Sequence, residues 1–148
     1  MAKQAVRVEG LRELGMALKE LDSGVQKRIA RSATAAGARV IAKEAKQRVP
    51  VDSGKVKKNI RTANLKPKQP GTQETAVGVR VKGKTADSAF YWRFLEFGTA
   101  KMEAKPFLRP AFEAKKMEAA DKIKEQLGKR LEAEAKKIGQ TIGKVNRK

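Results

Sequence analysis

The chain contains no cysteine and no histidine. Without thiols there is no disulfide and no thiolate metal site, and the redox compartment stays open. Without imidazole, Ser-His-Asp and Cys-His nucleophile systems fall away, as do the usual zinc ligand sets and haem held by histidine. The glycines are scattered, and none precedes Lys-Ser/Thr at the spacing of a phosphate-cradling loop. No apolar run approaches the roughly 20 residues that cross a bilayer, so no membrane association is expected. The opening MAKQAVRVEG lacks the apolar core of a secretory signal, which makes the cytoplasm of the producing cell the default expectation. A nuclease built on Asp52, Asp87, Glu96 and a lysine is the catalytic arrangement that survives these absences. The expectation is nevertheless a protein that is not an enzyme, with no cofactor, no metal and no small-molecule substrate.

Acidic residues are scarce, with 16 Asp and Glu against 35 Lys and Arg, a net charge of +19. The excess is spread along the whole chain rather than gathered in a tail. A surface this basic favours polyanions. Lysine outnumbers arginine 23 to 12, and arginine is the residue suited to bidentate recognition, so the balance suggests a diffuse field rather than a reading head. The plainer alternative is that many of these lysines solvate helix faces.

Aromatic residues are rare, and their placement is the strongest feature of the chain. All seven lie between Phe90 and Phe112, in FYWRFLEFGTAKMEAKPFLRPAF, and the other 125 residues have none. Aromatics dominate cores and interfaces, so this stretch should be the centre of the fold or of a contact surface. Glu96 interrupts an apolar run, Gly98 follows Phe97, and Pro106 and Pro110 bracket Phe107-Leu108-Arg109. Glycine accommodates a positive φ or a close approach, and each proline fixes φ and makes its predecessor extended. A buried Glu96 would need an ion-pair partner, with Arg93, Arg109 or Arg48 as candidates.

Around that stretch the pattern alternates between helical and extended periods. Gln4 to Val8 alternates polar and apolar and predicts a short strand. Leu11, Leu14, Leu18 and Leu21 mark a first short helix. Asp22-Ser23-Gly24 then breaks the pattern and caps a second helix over about Ser23 to Arg48, whose apolar side is mostly alanine with Gly37 at its midpoint. Small residues allow close approach, so this helix should lie flat on a sheet or a partner helix. Pro50 ends it, and Asp52 or Ser53 can cap a short turn over Gly54 to Ile60. Lys55, Lys57 and Lys58 on that turn are candidates to face a polyanion, though a solvated loop is the preferred reading of the cluster, which has no phosphate-loop spacing.

Ile60 to Leu65 and Glu74 to Val81 predict strands, with Val77, Val79 and Val81 on one side of the second. Lys82 to Asp87 should turn the chain back. The expected sheet has three or four antiparallel strands, the aromatic segment supplying either the last strand or a short helix against it. A long helix over about 110–142 follows, with Glu-to-Lys pairs such as Glu118–Lys122 and Glu125–Lys129 on its exposed side. The fold class is therefore α+β: a small antiparallel sheet packed on a long helix from the N-terminal half, with a long C-terminal helix. One domain over 1–148 is expected, its last helix partly protruding.

Two stretches together resemble one family. Val49 to Ile60, VPVDSGKVKKNI, is similar to the form Pro-x-Asp-Thr/Ser-Gly-x-Leu-x-x-Ser-Ile. Tyr91 to Phe112 is similar to Tyr-x-x-Phe-x-Glu-Phe-Gly-Thr, a variable loop, then Pro-Phe-Leu-Arg-Pro-Ala. In this order, after an opening like Val8-Glu9-Gly10-Leu11, these resemble the phage tail-component family typified by gene product ten of the Hong Kong 97 phage. The likeness covers roughly residues 6 to 115. Val56 and Asn59 stand where that pattern has Leu and Ser.

The resemblance implies a structural protein of a tailed phage or prophage virion, made in the host cytoplasm and acting at the head–tail junction as a neck, tail-completion or tail-terminator component. It implies ring-like homo-oligomers, commonly of six, with other connector proteins and the tail tube as partners and DNA in the channel. Phe97, Gly98, Thr99, Pro106, Phe107, Leu108, Arg109 and Pro110 are the candidate contact residues. The expected division puts Trp92, Phe94 and Phe97 in the core, and the Ala100 to Lys105 loop and Phe107 against a neighbour. A monomer core holding all these aromatics stays open. So does a different class of function, a stand-alone basic nucleic-acid-binding protein.

Overall fold

A computed structural model describes residues 10–52, 54–82 and 89–145. Helix α1 covers Leu11–Lys19 and α2 covers Ser23–Arg48. Asp22 caps α2 by accepting the Gly24 N–H at 2.8 Å, the role a short acidic side chain plays at a helix start. Val49 turns extended ahead of Pro50, ending the helix where the proline requires it. The short helix α3, Lys55–Asn59, has no side-chain cap. Gly54, at φ 71°, holds the capping position just before it, so Asp52 does not serve there as expected. Ser53 lies outside the described residues.

Strands β1 (Ile60–Leu65) and β2 (Glu74–Val79) pair antiparallel, Ile60 opposite Val79 and Leu65 opposite Glu74. Among the described residues the sheet has these two strands, fewer than the expected three or four. The aromatic segment contributes no strand, because it forms the short helix α4, Trp92–Phe97. The predicted strand at residues 4–8 and most of the turn at 82–87 lie outside the described residues. Helix α5 then runs from Leu108 to Val145.

Helix α2 is the spine, with α5 packed antiparallel on one side and the sheet on the other. The alanines make this possible. Gly37 sits at the tightest approach, where a Cβ would stand 2.6 Å from Ile123 Cγ1 and 2.8 Å from the Ala119 carbonyl oxygen. Two apolar clusters result. One gathers Ala42, Ala45, Val49, Val56, Ile60, Ala89, Phe107 and Ala111, with Val77, Val79, Trp92 and Leu95 packed against it. The other joins Ile29, Ala33 and Leu127 to the α1 leucines Leu14 and Leu18 and to Leu131. Beyond Leu131, α5 is largely exposed through Gly139.

The exposed face of α5 is laced with ion pairs, and of the two expected pairs named above Glu125–Lys129 forms while Glu118–Lys122 does not. Glu118 bonds Lys115, three residues back, rather than Lys122. Glu125 bridges Lys122 at 2.8 Å and Lys129 at 2.5 Å. Hydrogen bonds from those two ammonium groups hold the Glu125 carboxyl well below the usual range, at about 2.

Candidate functional site

The chain between Trp92 and Phe112 forms a hook closed by one carboxylate. Leu108 is the first residue of α5 and Pro110 lies in its first turn, where a proline loses nothing because those N–H groups have no partner inside the helix. The preceding residues, Pro106 and Phe107, carry no side chain able to cap. Glu96 supplies the acceptor from α4. Its Oε2 receives the Phe107 N–H at 2.8 Å and the Leu108 N–H at 3.0 Å, and its Oε1 receives the Arg109 N–H at 3.0 Å. With Pro110 donating nothing, the free donors of the first turn are all bound. Glu96 is 7% exposed, and its charge sits on the positive end of a 38-residue helix. The expected guanidinium partner is absent from this arrangement: Arg109 contributes its backbone, and Arg48 bonds Glu44.

Gly98 makes the return possible. At φ 72° and ψ −178° it occupies a backbone region open only to glycine. A Cβ there would lie 2.9 Å from both the Met102 carbonyl oxygen and the Ala104 nitrogen. The strap that follows is pinned by paired bonds between Thr99 and Met102 and by the Lys105 N–H donating to the Leu95 carbonyl at 2.7 Å. The strap thus delivers Phe107 to the core directly beside Glu96.

Trp92 packs on the core as expected, but the expected division is reversed for Phe94, Phe97 and Phe107. Phe107 is fully buried and is the largest sealed side chain among the described residues, whereas Phe97 is 65% exposed and Phe94 46%. Spacing decides this. Trp92, Leu95 and Glu96 turn inward on α4, so Phe94 and Phe97, three apart, share the outer side. Phe90, a turn before Phe94, continues the same ridge, its ring edge-on to Phe94 at 6.4 Å. Met102, on the strap, is also partly exposed. Trp92 packs on the core with the Arg93 guanidinium 5.8 Å over its ring.

Of the candidate contact residues, Phe97 and Thr99 face outward. Pro106 and Arg109 are exposed, Gly98, Leu108 and Pro110 are half-buried, and Phe107 is sealed. Among the polyanion candidates, Lys57 and Lys58 are exposed on α3 and Lys55 is half-buried. Asp52 is exposed on the loop before α3 and Glu96 is committed to the α5 amides, while Asp87 lies outside the described residues. Among the described residues no group of three or more acidic side chains converges as metal ligands would. No described helix is long and apolar enough to cross a membrane.

Sequence reasoning singled out Glu96 but missed what it holds. Pro110 three residues past Phe107, with no Ser, Thr, Asp or Asn just before it, marked a helix start needing an acceptor from elsewhere. The exposed Phe90–Phe94–Phe97 ridge was also missed, although its 4, 3 spacing was legible once α4 is a helix.

No curated protein and no solved structure matches the chain. A protein-family model does, described as "Bacteriophage HK97-gp10, putative tail-component", over residues 12–98. That interval runs from α1 through the sheet and α4 to Gly98, where the hook turns back, and it covers more than half of the chain. With Val49 to Ile60 and Glu96-Phe97-Gly98 both inside the match, the chain belongs to the HK97-gp10-like family of phage tail components.

Proposed function

We propose that this protein is a structural component of the head–tail junction of a tailed phage or prophage, a neck, tail-completion or tail-terminator part that works as a ring of identical subunits. The family match supports a tail component. The observation that carries the finer reading is the Phe90–Phe94–Phe97 ridge, three aromatics on one face with two of them about half exposed and one more so. A contiguous apolar patch of this kind marks an interaction site more often than a solvated surface. The rigid hook beneath it holds the ridge in one geometry, as a repeated subunit contact needs. A ring contact is head-to-tail, so the ridge would meet a different surface of the next copy. Connector proteins and the tail tube are the other partners of this reading, with DNA passing through the lumen, and no step of it involves catalysis.

Replacing Phe94 and Phe97 by Ser removes two of the ridge's three aromatics without touching the core. Subunits carrying both changes should fold with wild-type helix content yet fail to form a closed oligomer in analytical ultracentrifugation. Particles assembled with them should show heads and tails unjoined by electron microscopy. Wild-type ring formation and joined particles from the double variant would end the proposal.

A second reading, a stand-alone basic nucleic-acid-binding protein, draws on the exposed cations Lys27, Arg28, Arg31, Arg39 and Lys43 along α2. It leaves the aromatic ridge without a role, since no base-stacking aromatic lies among those cations.

A further inference from the structure

A head-to-tail contact needs a second surface, unlike the ridge, to receive it. The phenylalanines show where it lies. Of the five, Phe107 is sealed, three form the ridge, and Phe112 stands 47% exposed in the first turns of α5. Phe112 belongs to the wall of a groove of about 630 Å³ between β2 and α5. Ala38 and Ile41 of α2 line its floor, and Ala120 and Ile123 continue the α5 wall. Leu65, at the end of β1, lines it too and is 43% exposed. Large apolar side chains left open around an apolar trough mark a surface that is covered by something. No ridge residue lines the groove, so the molecule carries two separate apolar patches.

Length and charge match the two patches. Phe90 to Phe97 spans about 10 Å at 1.5 Å per helical residue, and the α5 wall from Leu108 to Ile123 about 22 Å. The three rings therefore fit within the groove's length. Two charged residues line the groove, Glu74 and Lys116. Lys116 is held by Glu113 at 2.8 Å, whereas Glu74 forms no ion pair among the described residues. The ridge side is basic. Arg93 is exposed between Trp92 and Phe94, and the exposed Lys101 and Lys105 of the strap outnumber Glu103. In a chain of +19, a groove whose unpaired charge is a carboxylate is where the cations of another copy meet least repulsion and gain a partner.

We propose that the groove between β2 and α5 of one copy receives the Phe90–Phe94–Phe97 ridge of the next, its rings against Phe112 and Ile123 and its Arg93 flank towards Glu74. This rests on the reading of the protein as a ring of identical subunits, and it names the surface that the ridge meets. Each copy then offers one ridge and one groove, and the contact repeats until the ring closes.

Mixing two variants of the full chain tests it. Ala120→Arg puts a long cationic side chain into the groove and leaves the ridge intact. The Phe94→Ser, Phe97→Ser variant does the reverse. Each alone should sediment as a monomer at about 0.5 M salt, where charge repulsion is screened. Mixed in equal amounts they should form a dimer that grows no further, because one good ridge meets one good groove and the remaining two surfaces are spoiled. A single contact lacks the avidity of a closed ring, so the mixture is run at about a hundredfold higher concentration than wild-type rings need. Circular dichroism checks that both variants keep the wild-type helix content. Should Ala120→Arg lose helix, Phe112→Ser, which removes an exposed ring, takes its place with the same expected outcomes. The absence of a dimer in the mixture would overturn the proposal. Closed rings from the groove variant, with none from the ridge variant, would also overturn it while leaving the ring reading standing. A wild-type chain that stays monomeric would end both.

Discussion

Glu96 does at one position what most helices do with a Ser, Thr, Asp or Asn of their own. It accepts three N–H bonds at the start of α5 while buried against the core. Glu96→Gln keeps the shape but replaces one acceptor oxygen by an NH2 group that faces a backbone donor. Leaving a buried donor unmatched costs about 1–3 kcal/mol, so the urea midpoint should fall with the slope of the transition unchanged. An unaltered midpoint would mean that water can replace the carboxylate at this helix start. Gly98→Val faces two obstacles at once, the positive φ and backbone atoms 2.9 Å from its Cβ. It should give little folded protein by circular dichroism, and a normal spectrum would show that the strap has another path. The importance of both residues was legible in the sequence, as an acid inside an apolar run and a glycine ending it. Glu96's partners were not, because the groups it binds are backbone donors whose availability depends on where α5 begins.

Elements were the most legible level, for reasons visible in α2 and, by contrast, in α4. Helix α2 carries its own start and stop signals, Asp22 and Pro50, and its apolar spacing holds over 26 residues, so its bounds follow from the sequence. The aromatic stretch was ambiguous because a short apolar run fits a strand or a helix equally well. Close packing resolves it, since only a helix turns Trp92, Leu95 and Glu96 inward together. The α2–α5 crossing makes its own prediction. Gly37→Ala puts a methyl group into Ile123 and the Ala119 carbonyl, and should destabilise by about 1–3 kcal/mol in thermal or urea unfolding. Gly128→Ala in α5, where nothing lies within 4 Å of the added carbon, should instead stabilise by about 0.5–1 kcal/mol through helix propensity alone. A loss of stability at both sites would refute the close approach as the cause at Gly37.

The ion-pair lattice on α5 also acts at this scale. A carboxyl held at about 2 by Lys122 and Lys129 favours the folded helix above the ordinary Glu range, and loses that contribution as pH falls through about 2. Because Glu125 is solvent-exposed, salt should screen the effect. A carboxyl-resolved NMR titration should find the Glu125 midpoint well below the ordinary Glu range at low ionic strength. That midpoint should rise towards the ordinary range as salt is added. A midpoint insensitive to salt would contradict an origin in those exposed pairs.

At the scale of the whole molecule, charge and aromatic surface make opposing demands that salt separates. Each copy carries +19, so copies brought together in the proposed ring would repel one another, over about 10 Å at 0.1 M salt and less above it. The attraction proposed for the ridge is apolar and would not weaken with added salt. Ring formation through Phe90, Phe94 and Phe97 should therefore strengthen between about 0.05 and 0.5 M salt, read as a rising sedimentation coefficient at fixed protein concentration. Binding to DNA through the lysines should move the other way, its affinity falling steeply as released counterions are opposed by bulk salt. The Phe94→Ser, Phe97→Ser double variant should lose the first response and keep the second. If oligomers instead dissolve as salt rises, in parallel with DNA release, then polyanion bridging rather than the aromatic ridge holds the copies together, and the assembly reading fails at its physical root.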